Sequence, residues 1–166
     1  MHYHFVYGGG TVAFVYLKAG KNELEQLVKT RMEMLRAVKG LSSEADLGPV
    51  EKGCRDYYSD SFEKDIHVAY LVYDGEEFAG CGGISFYQVM PTYANPTGRK
   101  AYIMNIYTVA KYRGQGMATN VVDLLVKEAL IRNIHDITLR ATEMGRPIYQ
   151  RYGFVQDEEA MMLKPK

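Results

Sequence analysis

The chain is predicted to fold as a mixed α/β (α+β) single domain, a mostly antiparallel central sheet flanked by helices. Three observations predict it. Apolar segments run in the order strand, helices, three strands, helix, strand, helix, strand, a pattern that suits two or three packed layers. The length of 166 residues, with 47% hydrophobic and 24% charged residues, suits one domain with a core of its own. A glycine-bearing turn, Arg113 to Ala118, lies between an extended run and a helical one.

Each element has a local reason. Thr11 to Leu17 is apolar, β-branched or aromatic, and reads as a strand. Before it, His2 to Tyr7 is either an added strand or a terminal arm, with Gly8-Gly9-Gly10 as the break, so residues 1–10 stand apart from the rest of a domain spanning 1–166. Asn22 to Lys39 reads as a helix with Asn22 as N-cap and Gly40 as stop. Its apolar stripe is Leu24, Leu27, Val28, Met34, Leu35 and Val38. Leu41 to Gly53, broken by Gly48-Pro49, is a loop or a short helix, and Arg55 to Asp65 is weakly helical. His67 to Tyr73 and Glu77 to Val89 are strands joined by the turn Asp74-Gly75, with Gly80, Gly82 and Gly83 weakening or bulging the second. After the turn-rich Pro91 to Lys100, Ala101 to Val109 is the next strand. Gln115 to Asn133 is the long helix. Ile137, Leu139 and Ala141 alternate as a strand, and Arg146 to Tyr152 is a short helix ended by Gly153. Phe154-Val155 and Ala160 to Leu163 are expected to complete the sheet.

Composition narrows the function. A net charge of zero points to neither a nucleic acid nor an anionic membrane. Cys54 and Cys81 lack disulfide or metal spacing and read as buried thiols of a reducing, cytoplasmic setting. His2, His4, His67 and His135 do not cluster, so no metal is expected. No stretch has the length of a membrane span, and the N-terminus has no signal-peptide pattern.

The turn Arg113-Gly114-Gln115-Gly116-Met117-Ala118 carries the strongest chemical signal. The first N–H groups of a helix lack partners and carry a partial positive charge. Glycines let an anion approach the backbone, so the segment suits a phosphate or pyrophosphate. It is not a dinucleotide fingerprint, because no third glycine follows Gly116, and it is not a P-loop, because no lysine-hydroxyl pair follows. What remains is [RQ]-x-x-G-x-[GA], as Arg113-x-x-Gly116-x-Ala118.

That pattern resembles the pyrophosphate motif of the GCN5-related N-acetyltransferases (GNAT), which hold acetyl-CoA. A second segment, Ile148-Tyr149-Gln150-Arg151-Tyr152-Gly153-Phe154, resembles the family's Y-x-x-x-GF segment, and the element order is similar throughout. The resemblance implies the acyl-CoA N-acyltransferase fold, with acetyl-CoA as cosubstrate and no metal. It implies that the backbone of Ile106, Tyr107 and Thr108 pairs with the pantetheine arm. Gly114, Gln115, Gly116, Met117, Ala118 and Thr119 then hold the pyrophosphate, with Arg113 adding a charge. It also implies Tyr149 as proton donor to the thiolate, since a phenol with an ordinary pKa of about 10 stays protonated at neutral pH. Tyr149 as a packing residue is the alternative, and Tyr152 is the lesser donor.

Many relatives carry a carboxylate base on the strands beside the site. Here Met104, Asn105 and Ile106 offer none, and Arg140 stands on the later strand, sharing a face with Thr138. Glu143 just beyond is the candidate base, directly or through water. Glu33 and bulk water are further options. Arg31 falls on the inward face of its helix, between Val28 and Leu35, and is either a snorkelling side chain or part of the acceptor pocket. Arg31 and Arg140 together suggest an acceptor bearing a carboxylate. The expected activity is direct acetyl transfer to the amine of a small molecule or peptide, in a monomer or homodimer. The alternatives are a CoA-binding sensor without turnover and a nucleotide-phosphate binder.

Overall fold

A computed structural model describes residues 4–7, 14–157 and 161–163. Its sheet has six strands in sequential order: β1 (His4–Tyr7), β2 (Phe14–Ala19), β3 (His67–Asp74), β4 (Glu77–Gln88), β5 (Arg99–Thr108) and β6 (Asp136–Leu139). Neighbours pair antiparallel except β5 with β6, which run parallel. The helices are α1 (Leu24–Lys39), α2 (Gly48–Glu63), α3 (Met117–Ile131) and α4 (Arg146–Tyr152).

The sheet is covered on both faces, which is why its central strand reads as an unbroken apolar run. Along β3, Val68, Tyr70 and Val72 point to one side, and Ala69 and Leu71 to the other. The first side packs against α3 through Val121, Val122 and Leu125 and reaches Tyr149 of α4. The second packs against Leu27 and Val28 of α1 and Tyr58 of α2. Gly82 brings α3 close: a Cβ there would run into Val121 and Ile106. Buried Glu128 of α3 accepts hydrogen bonds from Lys18 of β2 at 2.5 Å, Tyr70 of β3 at 3.0 Å and Arg132 at 2.7 Å. Burial pushes its carboxyl up, but these donors outweigh burial and hold it below the ordinary value.

Several expectations meet corrections. The first helix does not start at Asn22. A 3-10 turn, Lys21–Glu23, precedes it, and Glu23 Oε2 accepts from the Gly20 N–H at 2.8 Å. Gly40 ends α1 in the left-handed region at φ 60° as expected, but Val38 of the stripe is exposed. Gly48-Pro49 begins α2 rather than breaking it, because proline in the first turn gives up an N–H that has no partner there. Thr11, where the first long strand was expected to start, lies outside the described residues, and β2 runs on to Ala19, past the expected end at Leu17. Phe154, Val155 and Met161 to Leu163 are not in a strand, and Ala160 lies outside the described residues. Phe154 instead folds back onto the rings of Tyr149 and Tyr152.

Candidate active site

β5 and β6 pair only from Lys100–Asp136 to Ile103–Leu139. Beyond Ile103, the edge of β5 from Met104 to Thr108 has no strand beside it among the described residues. At that point β5 also bulges: Gly83 pairs with Met104 but Cys81 with Tyr107, so Asn105 and Ile106 stand opposite Gly82 alone. Asn105 takes φ 59° to make the bulge, a conformation asparagine tolerates better than most residues. The Val109 N–H is turned to Ala79 of β4 at 2.9 Å. By alternation Tyr107 also turns its backbone to β4, and Ile106 and Thr108 turn theirs to the free edge. The Thr108 carbonyl accepts from Arg113 Nε at 3.3 Å, as a group on that edge should.

The free edge leads into the glycine turn. Gly114 and Gly116 sit at φ 77° and 80°, and a Cβ on either would meet no atom within 4 Å. Gly116 is the N-cap of α3, which begins at Met117, two residues later than expected. The first engaged amide is that of Asn120, bonded to the Gly116 carbonyl at 3.0 Å. The N–H groups of Met117, Ala118 and Thr119 are therefore left without intrahelical partners. Gln115, Thr119 and Arg113 are exposed, Ala118 is half-buried and Met117 is buried beneath the turn. An open strand edge running into a concave turn of unpaired amides fits a ligand with an amide-bearing arm and a pyrophosphate.

Tyr149 is 9% exposed, and burial pushes its phenol above the ordinary value. Gly145 admits its ring, since a Cβ there would lie 3.0 Å from it. The Tyr149 hydroxyl bonds to no described residue, whereas Tyr152 donates to Asp123 of α3 at 3.2 Å.

At the bulge, on the α1–α2 side, lies a cavity of about 400 Å³. Arg31, Cys54, Tyr57, Tyr58, Met104 and Asn105 line it. Arg31 Nη1 donates to Asn105 Oδ1 at 2.9 Å. Tyr57, on the rim, hydrogen-bonds to Ser85 Oγ and lies 3.0 Å from His67 Nδ1. Burial pulls His67 down to about 4, and its Nε2 is buried without a partner. Cys81, beneath Asn105, is pushed up to about 12 by burial, which leaves it a poor nucleophile.

The two arginines expected at the acceptor do not come together. Arg31 lines the cavity. Arg140 lies one residue past β6, is exposed, and forms no ion pair with a described residue. Asp136, at the start of β6, pairs with Lys100 at 3.2 Å instead of with Arg140. Glu143 is exposed on the turn before α4 and Glu33 is exposed on α1. Neither lines the cavity. Sequence reasoning missed Tyr57 and Tyr58. Their one signal was an aromatic pair on a segment with little other pattern.

A model of the Acetyltransferase (GNAT) family matches residues 35–154. The chain belongs to the GNAT family. It is similar to a predicted acetyltransferase from Clostridium acetobutylicum solved with acetyl-CoA, at 35% identity and TM-score 0.81, covering 91% of this chain and 96% of that one. A GCN5-related N-acetyltransferase from Ralstonia eutropha shares the fold at 23% identity and TM-score 0.75, with 92% and 98% covered. So does glucosamine-6-phosphate N-acetyltransferase from Arabidopsis thaliana, at 14% identity and TM-score 0.69, with 91% and 97% covered. No curated protein matches the chain. As a GNAT protein it is an N-acetyltransferase, and the free β5 edge and the glycine turn fit acetyl-CoA. Among the described residues no cluster suits a metal, and no helix is long and apolar enough to cross a membrane.

Proposed function

We propose that the protein transfers an acetyl group from acetyl-CoA directly to the amine of a small molecule or peptide. The observation that carries this reading is one continuous path. The cavity at the bulge opens beside Met104 and Asn105, the free edge of β5 follows, and the edge ends at the amides of α3. An amine in the cavity and a thioester on the edge would meet at the bulge. Acetyl-CoA supplies the activated acetyl group.

In this reading Ile106 and Thr108 pair with the pantetheine arm. Gly114 to Thr119 surround the pyrophosphate, and Arg113, tethered to Thr108, adds its charge. Tyr149 holds a proton at neutral pH on a hydroxyl that no described residue shares, the state required of a donor to a leaving thiolate. No carboxylate lines the cavity, so the amine loses its proton to solvent, with Glu143 the candidate base reached through water. Neither cysteine is needed, and burial of Cys81 disfavours a covalent route.

The test is release of free CoA from acetyl-CoA across a panel of amino acids, amino sugars, polyamines and peptides. Release that depends on one class of amine supports the reading. Tight acetyl-CoA binding with no release from any amine would make the protein a CoA-binding module instead.

A further inference from the structure

The cavity at the β5 bulge carries one charge, and that charge is positive. Arg31 lines it, and no aspartate, glutamate, lysine, histidine or second arginine is among its lining residues. The guanidinium is half-buried. Its Nη1 contacts Asn105 Oδ1 at 2.9 Å and Met34 Sδ at 3.8 Å. Its Nε and Nη2 donate to no described residue, and no described carboxylate lies within ion-pair distance.

A partly desolvated cation is costly without a counter-charge. Here the partner is neutral: an asparagine, whose bulge conformation aims its side chain at Arg31. Asn105 therefore orients the guanidinium without neutralising it. The open side, Nε with Nη2, is the edge that grips a carboxylate through two parallel hydrogen bonds. Around it the walls are rings and short apolar groups: Tyr57, Tyr58, Met104 and Val50. A polycationic amine would find no acid here to receive its further charges.

We propose that the acceptor is a primary amine bearing a carboxylate and an apolar body, an apolar α-amino acid or a close analogue, with Arg31 holding the carboxylate. This deepens the acetyltransferase reading and rests on it. Arg140, exposed beyond β6, takes no part.

The test uses matched acceptors: phenylalanine, leucine and methionine, each against its carboxamide. CoA release gives kcat and KM, and calorimetry gives the Kd of each acceptor for the CoA-loaded protein. The carboxamide has the more readily deprotonated amine, so without anion recognition it would be the better acceptor. The free acid should win by about ten- to a hundredfold in kcat/KM, the range of hydrogen bonds to a charged group, and the gain should lie in KM. Arg31→Gln should erase the preference by raising KM for the acid alone, with acetyl-CoA Kd unchanged, and Arg31→Lys should restore part of it. A carboxamide as good as its acid, polyamines as the best acceptors, or an Arg31→Gln loss equal for acid and amide would each overturn the proposal. Were no amine acetylated, the acetyltransferase reading would fall, and calorimetry would decide alone: a tighter free acid supports the site, and equal or absent binding overturns it. If Arg31→Gln fails to fold, the wild-type acid and amide comparison still decides.

Discussion

Gly116→Ala separates the two duties of the glycine turn. Gly116 sits at φ 80°, and an added Cβ would meet nothing within 4 Å. The folded protein thus suffers no clash, only the left-handed conformation, at about 1–2 kcal/mol for an alanine. For a chain of this size that is a Tm loss of about 2–8 °C. The ligand should suffer more. The same Cβ projects into the space a pyrophosphate would enter, and losing one or two hydrogen bonds to a charged group costs about 1.5–3 kcal/mol. The Kd for CoA should therefore rise about ten- to a hundredfold. Gly40→Ala supplies the control: Gly40 has φ 60°, open space, and lies at the far end of α1. Both variants should melt earlier by similar amounts, and only Gly116→Ala should lose affinity in calorimetry. Equal CoA affinities in the two folded variants would refute the assignment of the cradle.

Two further outcomes are expected. Tyr149→Phe should lower kcat by about 10²-fold with CoA affinity unchanged, while Tyr152→Phe, which loses the bond to Asp123, should lower Tm and leave kcat alone. A drop in stability without a drop in kcat for Tyr149→Phe would make that residue a packing tyrosine. His67 adds a pH dependence: burial pulls it to about 4 from an ordinary 6.5. The unfolded chain then takes up this proton first, so stability is fully present above pH 6.5 and is lost as the pH falls towards 4. The loss amounts to about 3 kcal/mol over that window. Urea titrations from pH 7.5 to 4.5 should show the decline and His67→Gln should flatten it; equal slopes in both proteins would sink the argument.

Much of the fold was legible because its local and tertiary preferences agree. His67 to Tyr73 is β-branched and aromatic, and it is a strand buried on both faces. Gly40 and Gly153 end helices in left-handed conformations that their sequence setting already suggested. The failures came where tertiary context decides. Gly48-Pro49 has the chemistry of a break and that of a helix start, and only the docking of α2 chooses between them. β6 stops at Leu139, so alternation counted on to Arg140 put that residue on a sheet face it does not occupy. For the site, the glycine turn was legible from its setting: Gly114 and Gly116 stand between β5 and α3, as the extended and helical runs on either side implied. The bulge was not: nothing local marks Asn105 as the residue that adopts φ 59° and meets an arginine 74 positions away. The cavity proposed for the acceptor is lined by that contact and by α2, a helix with little sequence pattern.

The free edge of β5 also sets a length. From Met104 to Thr108 the strand advances about 13 Å, and the unpaired amides of α3 lie past its end. A ligand using both must have a phosphate-bearing head and an extended, amide-carrying tail long enough to reach back to the gap above Ile103. Nucleotides that offer phosphates alone would occupy the turn and leave the edge bare. The stretch of strand thus works as a ruler, and what it measures is the reach of the molecule rather than the identity of its base.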